Sequence, residues 1–262
     1  NSGGVSEQII GKWMSHSKIS RDQTVIATKV RGQMGKGPNE QGLSRAHIFD
    51  AVEKSLKRLK TDYIDLYQAH WFDEETPIDE TLLAFDDLVS QGKVRYIGAS
   101  NYPVWRLMQS LWVSDKLNIV RYDSLQPHYN LINRTEFEHE LSQVCIEYGI
   151  GVIPYSPLAG GFLTGKYNKD NPIPDSQRAD GTKQRYFNDD GWSILRNVEE
   201  IALERNKSVS QIALAWLLTQ DVITSPIIGP RTLDQLKDNL GATGLRLNMD
   251  EVRKLNLAST SN

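Results

Sequence analysis

Short apolar runs alternate along this chain with longer stretches in which apolar residues recur every three or four positions. The β-branched run Val25–Val30 (VIATKV) predicts a strand, and a glycine-rich loop, Gly32 to Gly42, follows it. Ser44 stands where an N-cap is expected, ahead of Ile48, Val52, Leu56 and Leu59 at helical spacing. The same alternation predicts strands at 63–69, 94–99, 122–126, 151–155 and 223–228. It predicts helices at 78–89, 104–111, 135–148, 192–204 and 209–218, one opened by Thr232, and one at 249–257. A polar stretch from Gly160 to Gly191 is too long for a plain connection and is expected to be a loop that folds over a site.

Strands separated by helices call for a parallel sheet covered by helices, in either a doubly wound sheet or a (β/α) barrel. A doubly wound nucleotide fold needs Gly-x-Gly-x-x-Gly directly between its first strand and helix. Gly32, Gly35 and Gly37 have the wrong order, and more loop separates them from the next helix, so they read as loop flexibility. In a barrel, functional side chains gather at the C-terminal ends of several strands. Polar residues fall there: Lys29, His70, Ser100 with Asn101, Gln126, Tyr155 with Ser156, and Gly229 with Arg231. The barrel is the better fit.

Composition narrows the function. The 262 residues hold 30 Lys plus Arg against 33 Asp plus Glu, so no basic field is present to hold a nucleic acid. No apolar run approaches the roughly 20 residues that span a bilayer. One cysteine, Cys145, rules out an intramolecular disulfide framework, and it reads as a buried, inert thiol. The expected protein is cytoplasmic, with a small-molecule substrate, no nucleic acid or membrane partner, and an oligomeric state the sequence leaves open.

Singly, each strand-end residue is ordinary: a solvated lysine, a hydrogen-bonded histidine, a Ser-Asn turn. Converging on one mouth, they change meaning. An amine near an imidazole can lower a neighbouring phenol's pKa and orient a carbonyl oxygen. Ser, Asn and Gln suit a carboxamide, and a tyrosine can stack on a planar ring. Arg231 and Thr232 open a helix, whose N-terminus favours phosphate. His16, His47 and His139 lack metal-ligand spacing and read as solvated or structural. The Asp73-Glu74-Glu75 run reads as a solvated loop. Paired carboxylates for a hydrolase are missing from the strand ends.

The segments ATKV, DYIDLYQAHW, GKVRYIGASN, SLQPHYN, IPYSPLAGGFLTGKY and IIGPRTLDQLKDNLGA occur in the order seen in aldo-keto reductases. The chain resembles that family over nearly its whole length, closest to the bacterial branch similar to potassium-channel β subunits. The resemblance implies one (β/α)8 TIM barrel domain spanning 1–262 that binds NADP(H) across its mouth and reduces aldehydes or ketones by hydride transfer. It implies Lys29 and His70 as catalytic residues. Ser100, Asn101 and Gln126 would hold the nicotinamide carboxamide, and Tyr155 would stack on the ring. Ser156, Leu158, Gly160, Lys166 and Arg178 match the segment covering the pyrophosphate. Gly229, Arg231, Gln235, Asp238 and Asn239 match the adenosine and 2′-phosphate segment, with Arg231 taking the 2′-phosphate because Gly229-Pro230 replaces a frequent Lys-Ser pair. Trp71 and His128 are expected to line the substrate pocket.

Six strands are too few for eight, and the family's catalytic Asp and Tyr precede a segment resembling GGVSEQIIGKW. The expectation is therefore a barrel whose first strands, with that Asp and Tyr, lie upstream of Asn1. A regulatory, nucleotide-sensing subunit similar to potassium-channel β subunits is the alternative function.

Overall fold

In the computed structural model, which describes residues 3–167 and 179–259, the chain divides into two units, 1–126 and 127–262. The first runs α1 (Val5–His16), β1 (Ala27–Val30), α2 (Arg45–Leu59), β2 (Ile64–Ala69), α3 (Ile78–Ser90), β3 (Val94–Ser100), α4 (Val104–Leu117) and β4 (Tyr122–Gln126). All four strands are parallel, in the order β1-β2-β3-β4, as strands joined through helical crossovers must be. The expected α/β class with parallel strands is therefore present, built from the strand–helix unit of a (β/α)8 barrel. Ser44 does cap α2, its hydroxyl accepting from His47 N–H at 3.3 Å.

Strand register decides what faces what. Tyr67 and Tyr122 point toward α3, where Phe85 meets them edge-on at 5.8 and 6.3 Å. Side chains alternate along a strand, so the opposite face of β2 carries Gln68 and, just past its end, His70. Lys29 is the register partner of Gln68, Gln68 of Gly98, and Gly98 of Ser124. These four make one row across the sheet. Two residues further along lie Ser100 and Gln126, themselves partners, with His70 at the same level. A bulge makes the rows possible: Ile97 pairs with Tyr122 but Gly98 with Ser124, leaving Asp123 extra in β4.

The second unit contains α5 (Thr135–Glu138), α6 (Leu141–Glu147), β5 (Gly151–Val152), α7 (Ala179–Tyr186), α8 (Asp189–Arg205), α9 (Val209–Leu218), α10 (Leu233–Leu240) and α11 (Met249–Ser259). Helix α9 begins with a capping box between Ser208 and Gln211, and its apolar run is buried on most sides. An aromatic cluster joins Phe162 to Tyr167, Tyr186, Phe187 and Trp192, with centroids 5.0–6.3 Å apart.

Four expectations change here. The helix expected at 135–148 is two short helices, because Glu140 leaves helical geometry (φ −139°, ψ −39°) while Glu138 is held by Tyr129 and Arg134. The strand expected at 151–155 ends at Val152, since Pro154 cannot donate to a ladder. The run 223–228 forms no continuous strand, but it lies alongside 152–154 as expected: Ile223 bridges Val152, and the Thr224 and Ile227 N–H groups donate to Val152 O and Pro154 O at 2.8 and 2.9 Å. The stretch 160–191 is not wholly loop: a 3-10 turn covers Ala159–Thr164, and α7 lies inside it.

Candidate active site

Lys29 is half-buried on β1, and its ammonium has no carboxylate partner among the described residues. Burial lowers its pKa. His70 follows β2, its backbone N–H bonded to Val30 O at 3.0 Å, which ties the end of β2 to the end of β1. Burial first, then the positive charges of Lys29 and Arg31, push the imidazole down to about 4. At neutral pH His70 is therefore uncharged and keeps one N–H to donate. Both groups line a cavity of about 340 Å³ together with Thr28, Arg31, Met34 and His47. Trp71 stacks on His70 with centroids 3.9 Å apart and remains 43% exposed, outside the lining of that cavity.

The Ser-Asn-Gln set is interlocked. Ser100 Oγ donates to Gln126 O at 2.9 Å, Asn101 Nδ2 donates to Ser100 Oγ and to His70 O at 3.1 Å each, and Asn101 N–H donates to Gln126 O at 3.3 Å. Asn101 holds a left-handed backbone (φ 55°), a conformation asparagine tolerates better than most residues. Lys29, His70, Trp71, Ser100, Asn101 and Gln126 thus all sit at the C-terminal end of the first unit's sheet, as expected.

In the second unit, His128 and Tyr155 form a parallel bridge, and their rings stack at 5.1 Å with an interplanar angle of 12°. Burial lowers the His128 pKa, with Glu136 opposing and Arg185 adding to it; burial raises that of Tyr155. Ser156 has φ 53°, and Asn130 Nδ2 donates to its carbonyl at 2.9 Å. Leu158 then leads into Gly160 and Gly161, both at positive φ (65° and 97°), where a side chain would be strained and at 161 would meet Lys166 Nζ. Lys166 is exposed, over the Tyr167 ring. Arg178 lies outside the described residues.

Near the C-terminus, Gly229 and Arg231 are exposed. Gln235 Oε1 accepts from Arg231 N–H at 2.8 Å while Thr232 Oγ1 accepts from Gln235 N–H at 3.2 Å, so Gln235 has a capping role. Asp238 accepts from Ser208 Oγ and Gln211 Nε2 at 3.0 and 3.2 Å, which joins α10 to α9, and Asn239 is buried.

Three residues escaped the sequence reading. Gln68 is 1% exposed and receives Gln126 Nε2 at 3.3 Å. Asn130 is fully buried and pins Ser156; its place at the end of SLQPHYN was the available signal. Asp73 is buried rather than solvated. Its carboxylate accepts from Leu43 N–H at 2.7 Å, Thr76 Oγ1 at 2.8 Å and Glu75 N–H at 3.1 Å and so anchors the loop, while Glu74 and Glu75 are exposed as expected. Cys145 is buried, its thiol pushed up to about 12 by burial.

Known proteins agree over the full span. The profile of the aldo/keto reductase family matches residues 2–259. An uncharacterized oxidoreductase of Bacillus subtilis, YrpG, is 39% identical over 258 residues, covering 97% of this chain and 77% of that protein. A Schizosaccharomyces pombe protein provisionally named an aryl-alcohol dehydrogenase is 36% identical, with 97% and 77% covered. A rice (Oryza sativa subsp. japonica) protein provisionally named a voltage-gated potassium channel subunit beta is 35% identical, with 91% and 74% covered.

Proposed function

The chain belongs to the aldo/keto reductase family, a family of oxidoreductases, and we propose that it reduces aldehyde or ketone carbonyls with NADP(H). The observation that carries this reading is the pair at the sheet end: a half-buried Lys29 with no carboxylate partner among the described residues, and a neutral His70 beside it. Perturbed groups of complementary charge state in one cavity are what proton transfer at a carbonyl needs.

The residues fit a nicotinamide dinucleotide. Gln126 Oε1 has no hydrogen-bond partner among the described residues, and the buried Gln68 Nε2 and Ser124 Oγ in the row beneath are unpartnered as well. Asn101 and Ser156 hold strained left-handed backbones, a cost usually met at ligand sites. A reduced nicotinamide, when bound, supplies a hydride to the substrate carbonyl carbon. His70 donates its N–H to the substrate carbonyl oxygen and orients it. The Lys29 ammonium stabilises the negative charge that develops there and lowers the pKa of a nearby proton donor. Ser100, Asn101 and Gln126 hold the carboxamide, and Tyr155 stacks on the ring. Ser156, Leu158, Gly160, Lys166 and Arg178 hold the pyrophosphate. Gly229, Gln235, Asp238 and Asn239 hold the adenosine, and the exposed Arg231, in no ion pair among the described residues, takes the 2′-phosphate. Trp71 and His128 border the substrate, and the chain forms a single domain. The name of the yeast relative points to aromatic aldehydes as the first substrates to try.

The test is a panel of aromatic and aliphatic carbonyls assayed on the complete protein by cofactor oxidation, with NADPH and NADH in parallel. NADPH-dependent turnover of at least one carbonyl is expected. Cofactor binding without turnover of any would favour the nucleotide-sensing regulatory reading, for which the similarity to the rice protein speaks.

A further inference from the structure

Gln68 has no place in the chemistry above, yet a polar amide that is 1% exposed near the end of β2 demands a reason. It shares a row with Lys29, Gly98 and Ser124, directly beneath His70, Ser100 and Gln126. Its Oε1 accepts from Gln126 Nε2 at 3.3 Å. Gly98 makes this reach possible, because a Cβ there would overlap Ser124 Oγ and press on Gln68 Cγ at 3.1 Å.

We propose that Gln68 is a positioning residue that fixes which end of the Gln126 amide faces the cofactor. A primary amide has a donor end and an acceptor end. Because Gln68 Oε1 accepts from Gln126 Nε2, the Gln126 Oε1 is turned outward and that position is an acceptor. The matching ligand group is an N–H donor, which the carboxamide –NH2 of nicotinamide provides. A ligand presenting a methyl or a carbonyl oxygen there is selected against. The Ser100 hydroxyl and the Asn101 N–H donate to the Gln126 backbone carbonyl, whereas Gln68 meets the Gln126 side chain itself. The assignment rests on the nicotinamide reading of this row and names the device that makes it selective.

The discriminating probe is the 3-acetylpyridine analogue of NADP, which keeps the ring carbonyl but carries a methyl in place of the amide –NH2. Binding of NADP+ and of the analogue to the complete protein is measured by calorimetry, without turnover. The wild type should prefer NADP+ by roughly three- to tenfold, the value of one hydrogen bond. In Gln68→Met, which is nearly isosteric but cannot accept in this way, the preference should fall toward unity through weaker NADP+ binding. Gln68→Glu keeps an acceptor oxygen and should retain the preference. Thermal melting verifies that each variant folds, and Gln68→Ala replaces Gln68→Met if the latter does not. A Met or Ala variant that discriminates as the wild type does overturns the assignment, as does a Glu variant that loses discrimination. A wild type that binds neither ligand overturns the nicotinamide reading itself, and the assignment with it.

Discussion

Lys29 and His70 owe their properties to the same cause, removal from water at the end of a sheet. For Lys29 the consequence is an ammonium whose charge burial disfavours and that no carboxylate among the described residues offsets. Lys29→Met should lower kcat by at least about a hundredfold, in line with the loss of a charge acting on the reacting oxygen. NADP+ affinity measured by fluorescence titration should change by less than about threefold, because loss of one charge at that end removes little ground-state binding. For His70 the consequence is a pH dependence. Its folded pKa of about 4 lies below the ordinary 6.5, so the unfolded chain binds a proton that the folded chain refuses. Stability should therefore fall as pH drops from 6.5 toward 4. His70→Asn should flatten that limb in urea unfolding series at successive pH values. An unchanged slope would show that His70 is not held neutral.

At the scale of elements, loops are fixed by polar residues that sequence patterns do not flag. Burial disfavours the Asp73 charge, but the Leu43 N–H, the Thr76 hydroxyl and the Glu75 N–H, with Arg31 nearby, hold its carboxyl below the usual carboxylate range. That carboxylate ties the glycine-rich loop after β1 to the loop that follows His70 and Trp71. Asp73→Ala should destabilise the protein by about 2–3 kcal/mol in urea unfolding, the cost of stranding buried donors bonded to a charge. Helix α1 depends on close approach instead: a Cβ on Gly11 would overlap the Arg58 carbonyl of α2, while Glu7 accepts from Thr28 and Arg58 at 2.7 and 2.6 Å. Gly11→Ala should cost about 1–3 kcal/mol in the same assay, as overpacking does. The elements themselves were largely legible. Ser44, Ser208 and Thr232 announce helices by capping chemistry, and the apolar runs of β1 to β4 announce parallel strands. What was not legible depends on distant partners. Gln68 hides in a strand pattern because its amide oxygen is answered by Gln126, 58 residues away. Asp73 sits in an acidic run that spacing alone cannot tell from a solvated one. At 223–228 a strand-like composition gave a bridge and two backbone hydrogen bonds rather than a continuous strand, since Pro154 and Pro226 lack the N–H that a full ladder needs.

For the whole molecule, the candidate residues are spread over nearly the full chain, from Lys29 to Asn239, and the family match covers the same span. A cofactor that binds the folded chain alone should stabilise it by mass action, by about 2.7 kcal/mol at a hundredfold excess over Kd. The central claim is narrower than binding: hydrogen passes from nicotinamide C4 to a carbonyl carbon, with Lys29 supporting the charge on the oxygen. It is tested most directly by supplying NADPH that carries deuterium at both nicotinamide C4 positions with an aromatic aldehyde and analysing the alcohol by mass spectrometry. The account predicts one deuterium on the former carbonyl carbon with the wild-type protein, and labelled alcohol formed at least about a hundredfold more slowly with Lys29→Met. Alcohol formed without deuterium, or labelled at the wild-type rate by Lys29→Met, would contradict it.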